Sequence, residues 1–222
     1  STIFPRWRPS YKIWDSFSVM PNMKRNLILL LLSLVALLPA AADNRSAELL
    51  VALQERMEAM KGYRVDFEVE VAGHTYRGYY CVRGEAYYMS LMQAEVYCDG
   101  ETRYEIDPAK MEVVIDSVDP TSRNILNNPT RAFHLLDSDY HHETLSEAAG
   151  IASLLITPTS RRSGISRITL HLDTESLTPR YLLYDADGEQ VKISISALKG
   201  EKTPLPKFDA ARYSAYEMID FR

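Results

Sequence analysis

The chain has 222 residues, 46% of them hydrophobic and 25% charged, with a formal net charge of −5. That is enough apolar material for one domain with a substantial core. The acidic balance argues against nucleic acid as a partner and against adsorption to anionic lipid headgroups.

Residues 1–22 show no sustained periodicity and read as an upstream non-structural segment ahead of Met23. Met23-Lys24-Arg25-Asn26 is a short basic start, Leu27 to Leu38 is apolar except for Ser33, and Pro39-Ala40-Ala41-Ala42 ends in small residues. These are the parts of a cleavable secretory signal over 23–42. The apolar run is too short for a bilayer span, which needs ~20 residues. Cleavage after Ala42 leaves 43–222 as a single exported domain. The first 42 residues carry five Lys/Arg and one Asp, so their removal takes the balance from −5 to −9. No cysteine follows the site, so the new N-terminus is not expected to be acylated.

From Ser46 to Lys61, Leu49, Leu50, Leu53, Met57 and Met60 recur at helical spacing. Ser46 is the expected cap at the start and Gly62 the expected cap at the end. Then the period changes to two. Tyr63, Val65, Phe67, Val69 and Val71 alternate with Arg64, Asp66, Glu68 and Glu70, the pattern of a half-buried strand. Turns at Gly73-His74, Gly84-Glu85 and Met92-Gln93 fold the following residues into an antiparallel meander. Pairing through those turns opposes Val82 to Tyr87, Tyr80 to Met89, Met89 to Val96 and Tyr87 to Cys98. The apolar face is expected to continue through Leu91 and Ala94 and, past Asp99-Gly100, through Thr102, Tyr104 and Ile106. Arg77, Arg83, Ser90, Glu95, Arg103 and Glu105 are expected on the polar face. In this register Cys81 and Cys98 lie two strands apart, roughly 9–10 Å at normal strand spacing, on opposite faces. A disulfide needs Cα atoms within about 7 Å, so two free thiols are expected.

Asn128-Pro129 reads as a cap and first turn of a second helix carrying Ala132, Phe133, Leu135 and Leu136. Strands return at 151–157, 167–173, 180–185 and 190–197. Residues 199–207 form a polar, proline-containing loop, and 216–221 a last strand. The class is therefore mainly β with a few helices, α+β.

The chemistry-bearing motifs are missing: no Gly-rich phosphate loop, no G-x-S-x-G, no H-E-x-x-H and no C-x-x-C. His141 and His142 are adjacent on an extended segment and point to opposite sides, so shared metal ligation is not expected and they read as solvated edge residues. No catalytic residue, metal or cofactor is assigned, and the chain is not expected to be an enzyme.

The stretch from Val96 through Asp99-Gly100-Glu101-Thr102-Arg103-Tyr104-Glu105-Ile106-Asp107-Pro108, followed by Glu112-Val113-Val114-Ile115, resembles the D-G-x-T-x-aromatic-x-x-D-P hairpin of the outer-membrane lipoprotein carrier family, LolA. The leading helix 46–61, Gly78-Tyr79-Tyr80-Cys81-Val82, Pro129–Leu136 and Asp187-Gly188-Glu189-Gln190-Val191-Lys192-Ile193 follow in the family's order. The resemblance implies an incomplete, strongly curved antiparallel β-barrel with a helical lid, whose apolar interior receives the acyl chains of a lipoprotein. The implied cavity lining is Val65, Phe67, Tyr80, Met89, Leu91, Val96, Tyr104 and Ile106. Leu50, Leu53, Met57, Phe133 and Leu136 would belong to the lid. Arg83, where Arg83-Gly84 stands for the family's Arg-Pro turn, is the match to its functional arginine region, although the strand register turns it outward.

Two function classes follow. In the first, the chain is a monomeric periplasmic carrier of acylated lipoproteins or other lipids, working between an inner-membrane release complex and an outer-membrane acceptor. In the second, the same face is a filled core and the molecule is a non-enzymatic envelope interaction or sensing module.

Overall fold

The computed structural model describes residues 40–136, 138–159, 165–186 and 188–222; the signal expected over 23–42 lies outside them except for its last residues. Among the described residues one α-helix, α1 (Ala40–Ala59), precedes twelve strands: β1 (Tyr63–Val71), β2 (His74–Arg83), β3 (Ala86–Leu91), β4 (Ala94–Cys98), β5 (Thr102–Asp107), β6 (Glu112–Ser117), β7 (Tyr140–Ala148), β8 (Ile151–Pro158), β9 (Ile165–Asp173), β10 (Thr178–Ala186), β11 (Glu189–Gly200) and β12 (Glu217–Asp220). They form a single curved sheet in the order β12-β6-β5-β4-β3-β2-β1-β11-β10-β9-β8-β7. Its two halves are consecutive hairpins joined where β1 meets β11. Among the described residues only the β12–β6 pair is parallel. The sheet stays open, with β7 at one edge and β12 at the other, so the expected incomplete barrel is the observed architecture.

From β2 to β4 the meander follows the expected register. Val82 faces Tyr87, Tyr80 faces Met89, Met89 faces Val96 and Tyr87 faces Cys98. The first turn is Ala72-Gly73 rather than Gly73-His74, with both residues at positive φ. Gly78 faces Phe67 across the β1–β2 pair, where a Cβ would meet the Ser90 carbonyl at 2.6 Å and the Phe67 ring at 3.0 Å. Its missing side chain is the space the phenyl ring uses.

At the β4–β5 hairpin the register departs from expectation by one residue. Cys98 faces Arg103, so the connection is four residues long, Asp99 to Thr102. The Asp99 carboxylate accepts the N–H groups of Glu101 at 3.0 Å and Thr102 at 2.8 Å, which stabilises the wider turn. A one-residue slip reverses every side chain of the strand. Tyr104 and Ile106 therefore fall on the convex face with Tyr97, while Arg103 and Glu105 turn to the concave one.

The expected helix at 129–136 is a run of turns. Its backbone makes i to i+3 hydrogen bonds, Arg131 N–H to the Asn128 carbonyl and His134 N–H to that of Arg131, both at 3.1 Å. Buried Arg123 takes up the carbonyls of Pro120, Thr121 and His134, and the Asn128 side chain takes up that of Asp119. Ile125, Ala132, Phe133 and Leu135 are still buried.

α1 begins six residues before Ser46, so Ser46 is an interior residue instead of a cap; its hydroxyl meets His142 Nδ1 at 2.8 Å. The left-handed residue after the helix is Lys61, φ 56°, and not Gly62. Gly62 is required for another reason: a Cβ there would lie 2.8 Å from the Glu201 carbonyl. His141 and His142 lie in β7, an edge strand that the periodicity did not mark.

Candidate functional site

The concave face of β1–β4 and β8–β11 forms the main core. Val65, Phe67, Tyr80, Met89 and Val96 share it with Leu154, Ile156, Ile168, Leu170, Leu182 and Ile193. Over it lie Leu49, Leu50, Leu53 and Met57 of α1 and Ile125, Phe133 and Leu135 of the turn segment; Leu91 and Leu136 are partly buried at the margin. Of the eight expected lining residues six meet here, and Tyr104 and Ile106 belong to the other face. Every expected lid residue packs on the same core, although Phe133 and Leu136 do so from turns.

The helix is fastened near its two ends by polar contacts. Arg45 donates from Nε and Nη2 to the two Glu147 carboxylate oxygens at 2.9 and 2.8 Å, next to the Ser46–His142 contact. One turn from the other end, Arg56 donates to the Leu177 carbonyl at 2.9 Å and Thr178 Oγ1 at 3.2 Å. Between these clasps the contact is apolar. None of the three was foreseeable from sequence, since each joins residues 96 to 122 positions apart without a shared motif.

Besides Tyr63, three buried tyrosines project into this core. Tyr87 donates to the Asn127 carbonyl at 3.0 Å and Tyr184 to that of Arg123 at 3.4 Å. Tyr80 is wholly buried, and among the described residues its hydroxyl has no hydrogen-bond partner. Burial pushes all three phenols up, Tyr87 to about 12. The Tyr80 ring meets Tyr63 edge-on at 6.3 Å and Phe67 at 5.8 Å. Tyr63 in turn borders a recess of about 320 Å³ at the end of the concave core, together with Met57, Val82, Thr130 and His134.

On the convex side, the residues after β11 form a strap that carries a short 3-10 helix at Ala210–Tyr213 and then β12. Leu205, Phe208, Tyr213 and Tyr216 cover Tyr88, Tyr97, Tyr104, Ile106 and Val113. Phe208 stacks on Tyr104 at 4.1 Å. Glu95 is the polar centre: it accepts from Tyr88 at 2.6 Å, Tyr213 at 2.8 Å and Tyr97 at 3.2 Å. Desolvation raises its pKa, but the tyrosine hydrogen bonds and Arg212 outweigh it and hold the carboxyl below its usual range. A larger cavity, about 630 Å³, lies between this strap and the sheet, lined by Tyr97, Tyr104, Pro204, Leu205 and Phe208. Arg83 is at its border, on the outward side as the register required. Its Nη2 donates to the carbonyls of Glu201 at 3.1 Å and Thr203 at 3.2 Å, pinning the strap's first residues.

Cys81 and Cys98 are both free, on opposite faces, with thiols pushed up by burial. Among the described residues no group of three or more His, Cys, Asp or Glu is arranged to hold a metal ion.

Comparison with known proteins fits this geometry. The chain matches no curated protein. An uncharacterized conserved protein from Thermus thermophilus superposes with a TM-score of 0.50 at 7% identity, over 77% of this chain and 98% of that one, which shows the fold alone. A putative outer membrane lipoprotein-sorting protein domain from Vibrio parahaemolyticus is 13% identical over 78% of this chain and 97% of its own, with a TM-score of 0.42. LprF from Mycobacterium bovis is 15% identical over 73% and 97%, with a TM-score of 0.39. The model of the family described as outer membrane lipoprotein carrier protein LolA matches residues 92–209, more than half of the sequence. The chain belongs to the LolA family.

Proposed function

We propose that this protein is a non-enzymatic periplasmic carrier that holds the acyl chains of lipoproteins, or of a related lipid, between its concave face and α1. The observation that carries the reading is the lid itself: an apolar helix laid on a continuous apolar face and fastened near its ends by a few polar contacts. Such a cover is exchangeable. Opening it exposes helix and sheet surface, and an acyl chain entering recovers ~0.8 kcal/mol per buried CH₂. No catalytic group is needed for this. Aromatic and Met side chains on the receiving face suit a cargo of variable shape. In this reading residues 23–42 are the export signal, 43–222 the mature monomeric carrier, and an inner-membrane release complex and an outer-membrane acceptor its partners.

One observation favours the second reading, an interaction or sensing module: the concave face is largely covered, and the larger cavity is on the convex side. A fluorescent fatty-acyl probe separates the two. A carrier binds it and releases it to acylated lipoprotein. In a carrier Met89→Glu weakens binding by placing a charge among acyl chains, and leaves the protein folded. A wild type that ignores the probe, with a Met89→Glu variant that unfolds, identifies a sealed core.

A further inference from the structure

We propose that Tyr80 donates a hydrogen bond to the carbonyl by which a cargo's hydrocarbon chain is attached, so that the site selects ester- or amide-linked chains over ether-linked ones. The inference rests on the carrier reading and adds a chemical requirement to it.

A buried hydroxyl without a partner is costly relative to a satisfied one, and phenylalanine would fill the same space without that cost. Tyr87 and Tyr184, in the same core, each reach a backbone carbonyl. Tyr80 reaches none, though its hydroxyl is fully enclosed. Its position gives the hydroxyl a use. Tyr80 stands between Val65 of β1 and Met89 of β3, in the middle of the face assigned to the acyl chains. It is also near the recess: Val82, two residues along β2 and so about 7 Å away, lines that opening, as does Tyr63, whose ring meets Tyr80. A chain entering tail first leaves its head end, where the linking carbonyl is, one aromatic ring inside the opening.

The chemistry is one-sided. Ester and amide carbonyls accept hydrogen bonds strongly, and the phenol remains a donor because burial keeps its proton on well above neutral pH. An ether oxygen is a much poorer acceptor and leaves the Tyr80 hydroxyl unpartnered. Discrimination then comes from a buried polar group being satisfied by one ligand and orphaned by the other.

The test uses the mature protein and two lysophospholipids of equal chain length, one 1-acyl and one 1-alkyl, each displacing a fluorescent fatty-acyl probe. The wild type is expected to prefer the ester by roughly three- to tenfold. In Tyr80→Phe the ratio falls to about one while the affinity for the ether is unchanged, and the unfolding midpoint of the empty protein stays level or rises. Equal binding of the two lipids by the wild type, a ratio that survives Tyr80→Phe, or a lowered midpoint in that variant overturns the role of Tyr80 and leaves the carrier reading standing. Binding of neither lipid, nor of the probe, overturns the carrier reading itself.

Discussion

The concave core and the convex cluster are built on the same strands by different means. Under α1 the side chains are mostly aliphatic, and the polar contacts are confined to the ends of the lid. Under the strap they are mostly tyrosines around one carboxylate, with hydroxyls, Glu95 and Arg212 in a connected network. The dry seam depends on area alone and tolerates exchange of one apolar partner for another. The wet one depends on geometry, because each of its groups is costly if left alone. The strap therefore reads as permanent structure, also adding β12 to the exposed edge of β6, and in the proposed carrier the helix is the part that moves.

The sharpest break of this comparison is truncation on each side. Phe67→Ala removes a fully buried ring from the concave core and should cost ~3–5 kcal/mol, measured by denaturant unfolding. Tyr104→Ala loses a half-buried ring and its stacking on Phe208, and should cost about 1–2 kcal/mol. Equal losses would mean that the convex cluster is as much a core as the concave one.

Glu95→Ala comes next. It removes the acceptor shared by three tyrosine hydroxyls, of which Tyr97 and Tyr213 keep their mutual contact at 3.0 Å, should cost ~1–3 kcal/mol, and should perturb the near-ultraviolet circular dichroism of the tyrosines while the acyl probe still binds. The same carboxylate gives the pH dependence a sign. Its pKa is depressed in the fold, so its contribution is present above the unfolded value of 4.5 and is lost as pH falls below that through the folded value. The wild type should lose strap signals in acid before the concave core melts, and Glu95→Gln should lack that step.

Much of this division was written in the sequence, and the part that was not has a local cause. From Tyr63 to Cys98, alternation and two-residue turns fix register and facing together, so Val65, Phe67, Tyr80, Met89 and Val96 fall on one side as expected. Leu50, Leu53 and Met57 were equally legible, since helical spacing identifies a buried stripe without knowledge of its partner. The pattern fails at Asp99-Gly100. Carrying Thr102, Tyr104 and Ile106 onto the face of Cys98 needs an odd connection of three residues, whereas the Asp99 side chain supports an even one of four, and alternation has no means of registering whether a loop is odd or even. That one residue put Tyr104 and Ile106 on the other face. The strap was obscure for the opposite reason: its apolar residues Leu205, Phe208, Tyr213 and Tyr216 are spaced irregularly among prolines and charges, so no period marks them. The turns at 120–136 hid behind a good helix-start signal: the Asn128 side chain does accept the Thr130 N–H at 3.2 Å, but the backbone hydrogen bonds that follow close at i+3.

The smallest expected change in stability carries the most direct evidence on which cover moves. Arg45 and Glu147 are solvent-exposed, and an ion pair in water adds little to folding because hydration and side-chain entropy offset the attraction. Glu147→Gln should therefore leave the unfolding midpoint almost where it is. It should still speed uptake of the acyl probe, since a lid that opens by releasing a few polar contacts opens more often when one is weakened, and stopped-flow fluorescence reads that rate. Arg212→Gln makes the matching change on the strap, where the side chain is also exposed and pairs with Glu95. Uptake by that variant should equal the wild-type rate. If the strap variant speeds uptake and the helix variant does not, the cargo enters from the convex side, and the roles assigned to the two covers are reversed.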